Sequence, residues 1–164
     1  MDTELTEISK KIIDTLIETK KSIATAESCT GGLISTCLTE IPGSSRCFIG
    51  GVCSYTEPAK GILLGISQTE IDINGVVSET IALKMAKSLK QKLHTDFAIS
   101  TTGIAGPSGG SSETPVGTVW CGIASPFCSE AFCLHLSGNR NMIRKGAAVK
   151  ILKHLYTKHL KEQP

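Results

Sequence analysis

The feature that most constrains this chain is a short apolar run that breaks into a small-residue turn and reopens as a helix. Ser22 to Ala26 reads as a strand. Glu27-Ser28-Cys29-Thr30-Gly31-Gly32 follows as the turn, and Leu33, Ile34, Cys37 and Leu38 then recur at helical spacing. Strand, turn and helix in that order is the building unit of α/β proteins, in which backbone N–H groups are presented to ligands at the turn. The same six residues are also common N-caps and turn formers, and pattern alone leaves both readings open.

The rest of the chain extends this unit. Leu5, Ile8, Ile12 and Leu16 mark an amphipathic helix over 4–18, and Ile41-Pro42-Gly43-Ser44-Ser45 stops the second helix. Cys47 to Tyr55 is predicted as a strand, with Gly50-Gly51 pointing to a bulge or a close backbone approach. Pro58 suits the first turn of a short helix, Ala59 to Leu64, and Asn74-Gly75 marks a turn. Ser78-Glu79 opens a helix running to about Leu93. Phe97 to Ser100 is an apolar strand that passes into a glycine-rich loop, Thr101 to Gly110. Val116 to Ala124 and Ala131 to Leu136 read as a hairpin broken by Ser125-Pro126, and Met142 to about Leu160 as the last helix. The expectation is a single three-layer α/β/α domain with a mixed, mostly parallel sheet, a core from about residue 5 to 160, and frayed residues 161–164.

Composition narrows the function. The chain has 17 Lys+Arg against 15 Asp+Glu and only 4% aromatic residues, which gives no electrostatic footprint or stacking platform for nucleic acid. The N-terminus lacks an apolar signal segment, and no run approaches a membrane span, so a cytosolic protein is expected. Seven cysteines is an odd number and no pair is spaced C-x-x-C, which argues for reduced thiols, most of them small buried hydrophobes. Phosphate-loop, zincin and nucleophile-elbow motifs are missing, and 103–110 does not fit a dinucleotide fingerprint. The four histidines, His94, His135, His154 and His159, neighbour no nucleophile and read as exposed or core-packed.

Three further segments can carry chemistry. Tyr55-Thr56-Glu57-Pro58-Ala59-Lys60 sets a lysine a short turn after a tyrosine, and a poorly solvated lysine can act as a base, although a solvated surface lysine fits the pattern equally. The loop Thr102 to Gly117 suits close backbone approach to a phosphorylated ligand, and Arg140 in Gly138-Asn139-Arg140 suits a phosphate clamp. A mobile loop and a salt-bridging arginine are the plain alternatives.

Taken together, Ala26 to Gly32, the Tyr55…Lys60 pair, Gly103-Ile104-Ala105-Gly106-Pro107, Pro115 to Trp120 and Ser137 to Arg140 resemble the CinA carboxy-terminal domain family, from about residue 5 to 160. That family includes nicotinamide-nucleotide amidases. The resemblance implies hydrolysis of the carboxamide of nicotinamide mononucleotide (NMN) to nicotinate mononucleotide and ammonia. It implies no metal or cofactor, a homodimer or larger assembly, and the stand-alone form of the domain. Carried over residue by residue, Ser28 is the nucleophile, Lys60 its base, and Tyr55 orients the lysine or shuttles a proton. Glu27, Thr30, Gly31, Gly32, Thr102, Gly103 and Arg140 would contact substrate, with amides around Thr30-Gly31-Gly32 as oxyanion donors. Cys29 is a rival nucleophile beside Ser28. The family's Tyr-Ser-Asn-x-Ala-Lys is here Tyr55-Thr56-Glu57-Pro58-Ala59-Lys60, so Glu57 brings a charge that would raise the lysine pKa. Its Gly-Asp-Arg is here Gly138-Asn139-Arg140. A non-catalytic nucleotide-binding or competence- or damage-related regulatory protein of the same fold is the competing expectation.

Overall fold

Parallel pairing on both sides of the first strand organises the molecule, which is described by a computed structural model over residues 3–161. Strand β1 (Ile23–Glu27) is fully buried and lies between β2 (Phe48–Cys53) and β3 (Phe97–Gly103), parallel to both. Strand β4 (Thr118–Ala124) runs antiparallel to β3 and pairs antiparallel with β5 (Ser129–His135), giving the order β2-β1-β3-β4-β5. The sheet is mixed: the pairings divide evenly between parallel and antiparallel, and β4 alone runs against the other four strands.

Helices cover both faces. On one face α1 (Thr3–Glu18), α2 (Leu33–Thr39) and α6 (Arg140–His154) pack together over Ile23, Ile99, Val119, Cys121 and Ile123. Helix α1 contributes Leu5, Ile8, Ile12, Ile13 and Leu16, the apolar stripe its sequence spacing requires. On the other face lie α3 (Glu57–Leu64), α4 (Gln68–Asn74) and α5 (Glu79–Leu93), with Ala24 and Ala26 beneath Leu64, Ile71, Ile81, Met85 and Leu89. Small residues on this face let α5 approach closely: Ser100 Oγ donates to Ala82 O at 2.5 Å, and a Cβ on Gly122 would meet the same carbonyl.

Several boundaries differ from the sequence reading. Strand β3 continues through Thr101, Thr102 and Gly103, because Thr101 pairs with Glu27 and Gly103 with Val119. A Cβ on Gly103 would lie 2.5 Å from Thr118 O, so glycine is needed for that pairing. Helix α4 was not expected; its Ser67–Glu70 capping box is the signal that marks it. The last helix ends at His154 and widens into a π-helical turn, Leu155–Leu160. The expected bulge occurs in β2, where Ile23 pairs with Phe48 but Ala24 with Gly50. Of the expected frayed end, residues 162–164 lie outside the described residues.

All seven cysteines are free thiols. Cys29, Cys37, Cys47 and Cys121 are buried, Cys133 is half-buried, and Cys53 and Cys128 are exposed, so most of them are packed inside, as expected. Among the described residues no helix is long and apolar enough to cross a membrane.

Candidate active site

Register brings the site together. Glu27 at the end of β1 pairs with Cys53 at the end of β2, and Ser54 N–H donates to Glu27 O at 2.8 Å. The residues after the two strands therefore leave the sheet side by side, Ser28 from one and Ser54-Tyr55 from the other. Thr56 then caps α3, with Pro58 in its first turn, and that helix swings Lys60 back beneath Ser28. Lys60 Nζ lies 3.0 Å from Ser28 Oγ and donates to Ser54 O at 2.9 Å. Lys60 is only 1% exposed, and among the described residues its hydrogen-bond partners are Ser28 and Ser54, neither of them a carboxylate.

Burial lowers the Lys60 pKa below the usual lysine value, opposed by nearby Cys29, Glu57 and Cys53. Glu57 thus acts in the direction anticipated, but its influence is weaker than that of burial, and its carboxylate accepts from Gln68 Nε2 at 2.7 Å. Cys29 is 6% exposed, and burial pushes its thiol up to about 11. At pH 7 only about one part in 10⁴ is thiolate, which weakens it as a rival nucleophile.

A cleft of about 250 Å³ opens above these groups, lined by Ser28, Cys29, Tyr55, residues 103–106, Ser108, Gly109 and Arg140. Tyr55 and Arg140 form its rim. The Arg140 guanidinium donates to the Tyr55 hydroxyl and, at 2.7 Å, to Gly106 O. Tyr55 therefore faces Arg140 and not Lys60; the lysine is oriented by the Ser54 carbonyl, a backbone group that no side-chain motif reveals. Both of these acceptors are uncharged, so the Arg140 charge suits an anion at the rim. Asn139 caps α6 through Met142 N–H at 3.1 Å, a task an aspartate would perform equally, so the change from Gly-Asp-Arg leaves the arginine in place.

Other expected contact residues are structural. Glu27 is 1% exposed and turns away from the cleft, accepting from Ile34 N–H at 3.1 Å and from Ser35 N–H, Ser35 Oγ and Thr30 Oγ1 at 2.7–2.8 Å. It caps α2 from the preceding strand, so the helix start is filled by the protein's own carboxylate. Thr30 is buried between Glu27 and Thr101, and its carbonyl receives Arg144 Nη2 at 2.7 Å. Gly31 N–H bonds Ser28 O at 3.0 Å, which removes it as an oxyanion donor, and Gly31 and Gly32 lie outside the cleft lining. The Thr102 hydroxyl donates to Val76 O at 2.8 Å, beneath the sheet. Arg144, which braces the Ser28–Gly32 turn from α6, was missed because 114 residues separate it from Thr30.

Replacing Glu27 by alanine leaves two amides and two hydroxyls without this acceptor and is expected to cost about 2–4 kcal/mol. Thermal denaturation should show a melting temperature lower by roughly 2–4 °C per kcal/mol. A midpoint within a degree of the parent protein would contradict the capping role.

The CinA C-terminal domain model matches residues 5–159. A CinA-like protein of Chlorobaculum tepidum is 43% identical over 144 residues, 84% of this chain and 34% of that protein. A CinA-like protein of Thermotoga sp. (strain RQ2) is 41% identical over 152 residues, 92% of this chain and 36% of that protein. The chain spans about a third of the length of these curated relatives. Among solved structures, the competence/damage inducible protein CihA from Agrobacterium tumefaciens superposes with a TM-score of 0.92 at 35% identity, covering 94% of this chain and 95% of that one. A CinA superfamily protein from Escherichia coli gives a TM-score of 0.89 at 29% identity, over 94% and 91% of the two chains.

Proposed function

Because the chain belongs to the CinA C-terminal domain family, we propose that its cleft hydrolyses the carboxamide of a pyridine mononucleotide, with NMN as substrate and nicotinate mononucleotide and ammonia as products. The observation that carries this reading is the 3.0 Å approach of Ser28 Oγ to a buried Lys60 Nζ at the floor of the cleft. A neutral Lys60 amine donates one N–H to Ser54 O and turns its lone pair to the Ser28 hydroxyl. Ser28 Oγ attacks the carboxamide carbon as its proton passes to Nζ. Lys60 then returns that proton to the departing nitrogen, releasing ammonia and leaving an acyl-serine. Water, deprotonated by the same amine, hydrolyses the ester. No metal is required by these steps.

Arg140 at the rim suits the 5′-phosphate, some distance from the reacting carbon. Replacing it with alanine is expected to raise the KM for NMN about 10- to 100-fold with little change in kcat. Nicotinamide riboside, which lacks the phosphate, should show no such penalty. Equal losses on both substrates would remove Arg140 from phosphate binding. The function itself is tested by incubating the purified chain with NMN and following ammonia together with nicotinate mononucleotide. Tight NMN binding without release of either product would favour a non-catalytic nucleotide sensor.

A further inference from the structure

At the other end of α6 from Arg140, a second group of side chains converges. Helix α6 spans 15 residues, so its ends lie about 21 Å apart. His154 closes the helix, and five residues later His159 lies in the π-helical turn. On a continued α-helix, positions five apart diverge by about 140°, and this pair would face different ways. The π turn closes hydrogen bonds five residues apart, as Lys161 N–H to Tyr156 O at 2.9 Å does here, and stacks such positions. The two rings consequently approach to 6.1 Å between centroids.

Both rings present Nε2 to one acceptor on the edge strand β5. His154 Nε2 is 2.8 Å and His159 Nε2 2.7 Å from Glu130 Oε1, and one ligand atom from each residue falls within 4.8 Å of the other two. Phe132 stacks on His154 at 4.3 Å, fixing that ring's plane. Behind His159, the Cys128 sulfur lies 3.9 Å from Nδ1. Two imidazoles and a carboxylate on rigid neighbouring elements, with the far nitrogen of one ring backed by a polar atom, match the donor set and outer support of zinc sites.

We propose that Glu130, His154 and His159 bind a divalent transition cation of the zinc class, with a fourth position open to solvent and Cys128 supporting His159 from behind. Zinc–nitrogen bonds of about 2.0–2.1 Å put tetrahedral ligands about 3.3 Å apart, so small side-chain rotations separate the present contacts enough to admit the ion. The cation takes the Nε2 lone pairs, and each ring then carries its proton on Nδ1, which for His159 points at Cys128. Its effect is to fasten the C-terminal turn to the exposed edge of the sheet. This inference is independent of the amidase reading.

The test uses the full chain purified without a histidine tag and stripped with a chelator. Titration of Zn²⁺ against a chromophoric competitor should give one ion per chain and a higher melting temperature. Glu130→Gln and His154→Gln, at side chains 41% and 29% exposed, should each weaken binding about tenfold or more while retaining the parent circular dichroism spectrum. Co²⁺ should show visible bands of nitrogen and oxygen ligation without a thiolate charge-transfer band. Absence of stoichiometric binding, or unchanged binding in the Glu130→Gln, His154→Gln double variant, would overturn the site. A thiolate band lost in Cys128→Ser would overturn this donor set.

Discussion

Replacing Ser28 by alanine is expected to lower ammonia release from NMN by about 10⁴-fold or more, while the folded protein remains intact. In the proposed mechanism, loss of the Ser28 nucleophile removes the covalent route entirely, and what survives is the weaker effect of binding and positioning. The fold should tolerate the change. The Ser28 hydroxyl contacts Lys60 Nζ at 3.0 Å and the Tyr55 carbonyl at 3.5 Å, and in the variant Lys60 keeps its bond to Ser54 O. Steady-state ammonia assays, with melting temperature and NMN affinity measured alongside, distinguish a chemical defect from an unfolded site. Cys29→Ala is the partner experiment. Its thiol, pushed up to about 11 by burial, should be dispensable, so that variant should retain activity within a few-fold. Full activity in Ser28→Ala, lost only when Cys29 is also removed, would transfer the nucleophile to the neighbouring residue.

Replacing Lys60 by methionine should produce opposite effects on rate and stability. Loss of the base is expected to reduce kcat by about 10²- to 10⁴-fold. Stability at pH 7 should rise, because a nearly inaccessible amino group, whose charged form burial penalises, is exchanged for an apolar chain of similar length. The pH dependence follows from the direction of the shift. The folded-state lysine pKa lies below the usual 10.5, so between the two values the unfolded chain binds more protons than the folded one. Parent stability therefore gains with pH across that window relative to the variant. The advantage of Lys60→Met is greatest below the folded pKa and shrinks as pH rises towards 10.5. Paired thermal melts from pH 7 to 10 check this, at about 2–4 °C per kcal/mol for a chain of this size. In the proposed mechanism the same group should set an acid limb in kcat/KM, with activity rising as Lys60 deprotonates, and that limb should vanish in the variant. A variant less stable than the parent at pH 7 would show that the amine's hydrogen bonds outweigh its desolvation.

Much of the architecture was legible because it is encoded over a few residues at a time. Pro58, the Ser78 cap and the apolar period of α1 act through local sterics and hydrogen bonds, and the corresponding elements occur where the pattern places them. Helix α4 was passed over because Ile71 is its sole buried apolar residue, although Ser67 and Glu70 carried a readable start signal. The glycine-rich run from Thr101 to Gly110 reads as loop, and only pairing with β1 and β4 makes Thr101-Thr102-Gly103 the end of β3. Glu27, grouped with the substrate contacts, proved to be a helix cap, since a carboxylate beside a turn can face either a ligand or the helix behind it. The resemblance set Tyr55 to orient Lys60, yet its hydroxyl accepts from Arg140, 85 residues away.

By itself, then, the sequence determined the succession of strands and helices, the absence of C-x-x-C metal spacing, and membership of the CinA C-terminal domain family. Tertiary structure alone decided that Ser28 and Lys60 meet, and that burial lowers the lysine's pKa from its usual value. The physical reason is that parallel neighbours are chosen by the whole sheet. Only after β2 docks beside β1, with Cys53 opposite Glu27, do two turns separated by 26 residues leave the sheet at one place. The same holds for Glu130, His154 and His159, whose convergence depends on an edge strand and a widened helical turn that no spacing in the sequence displays.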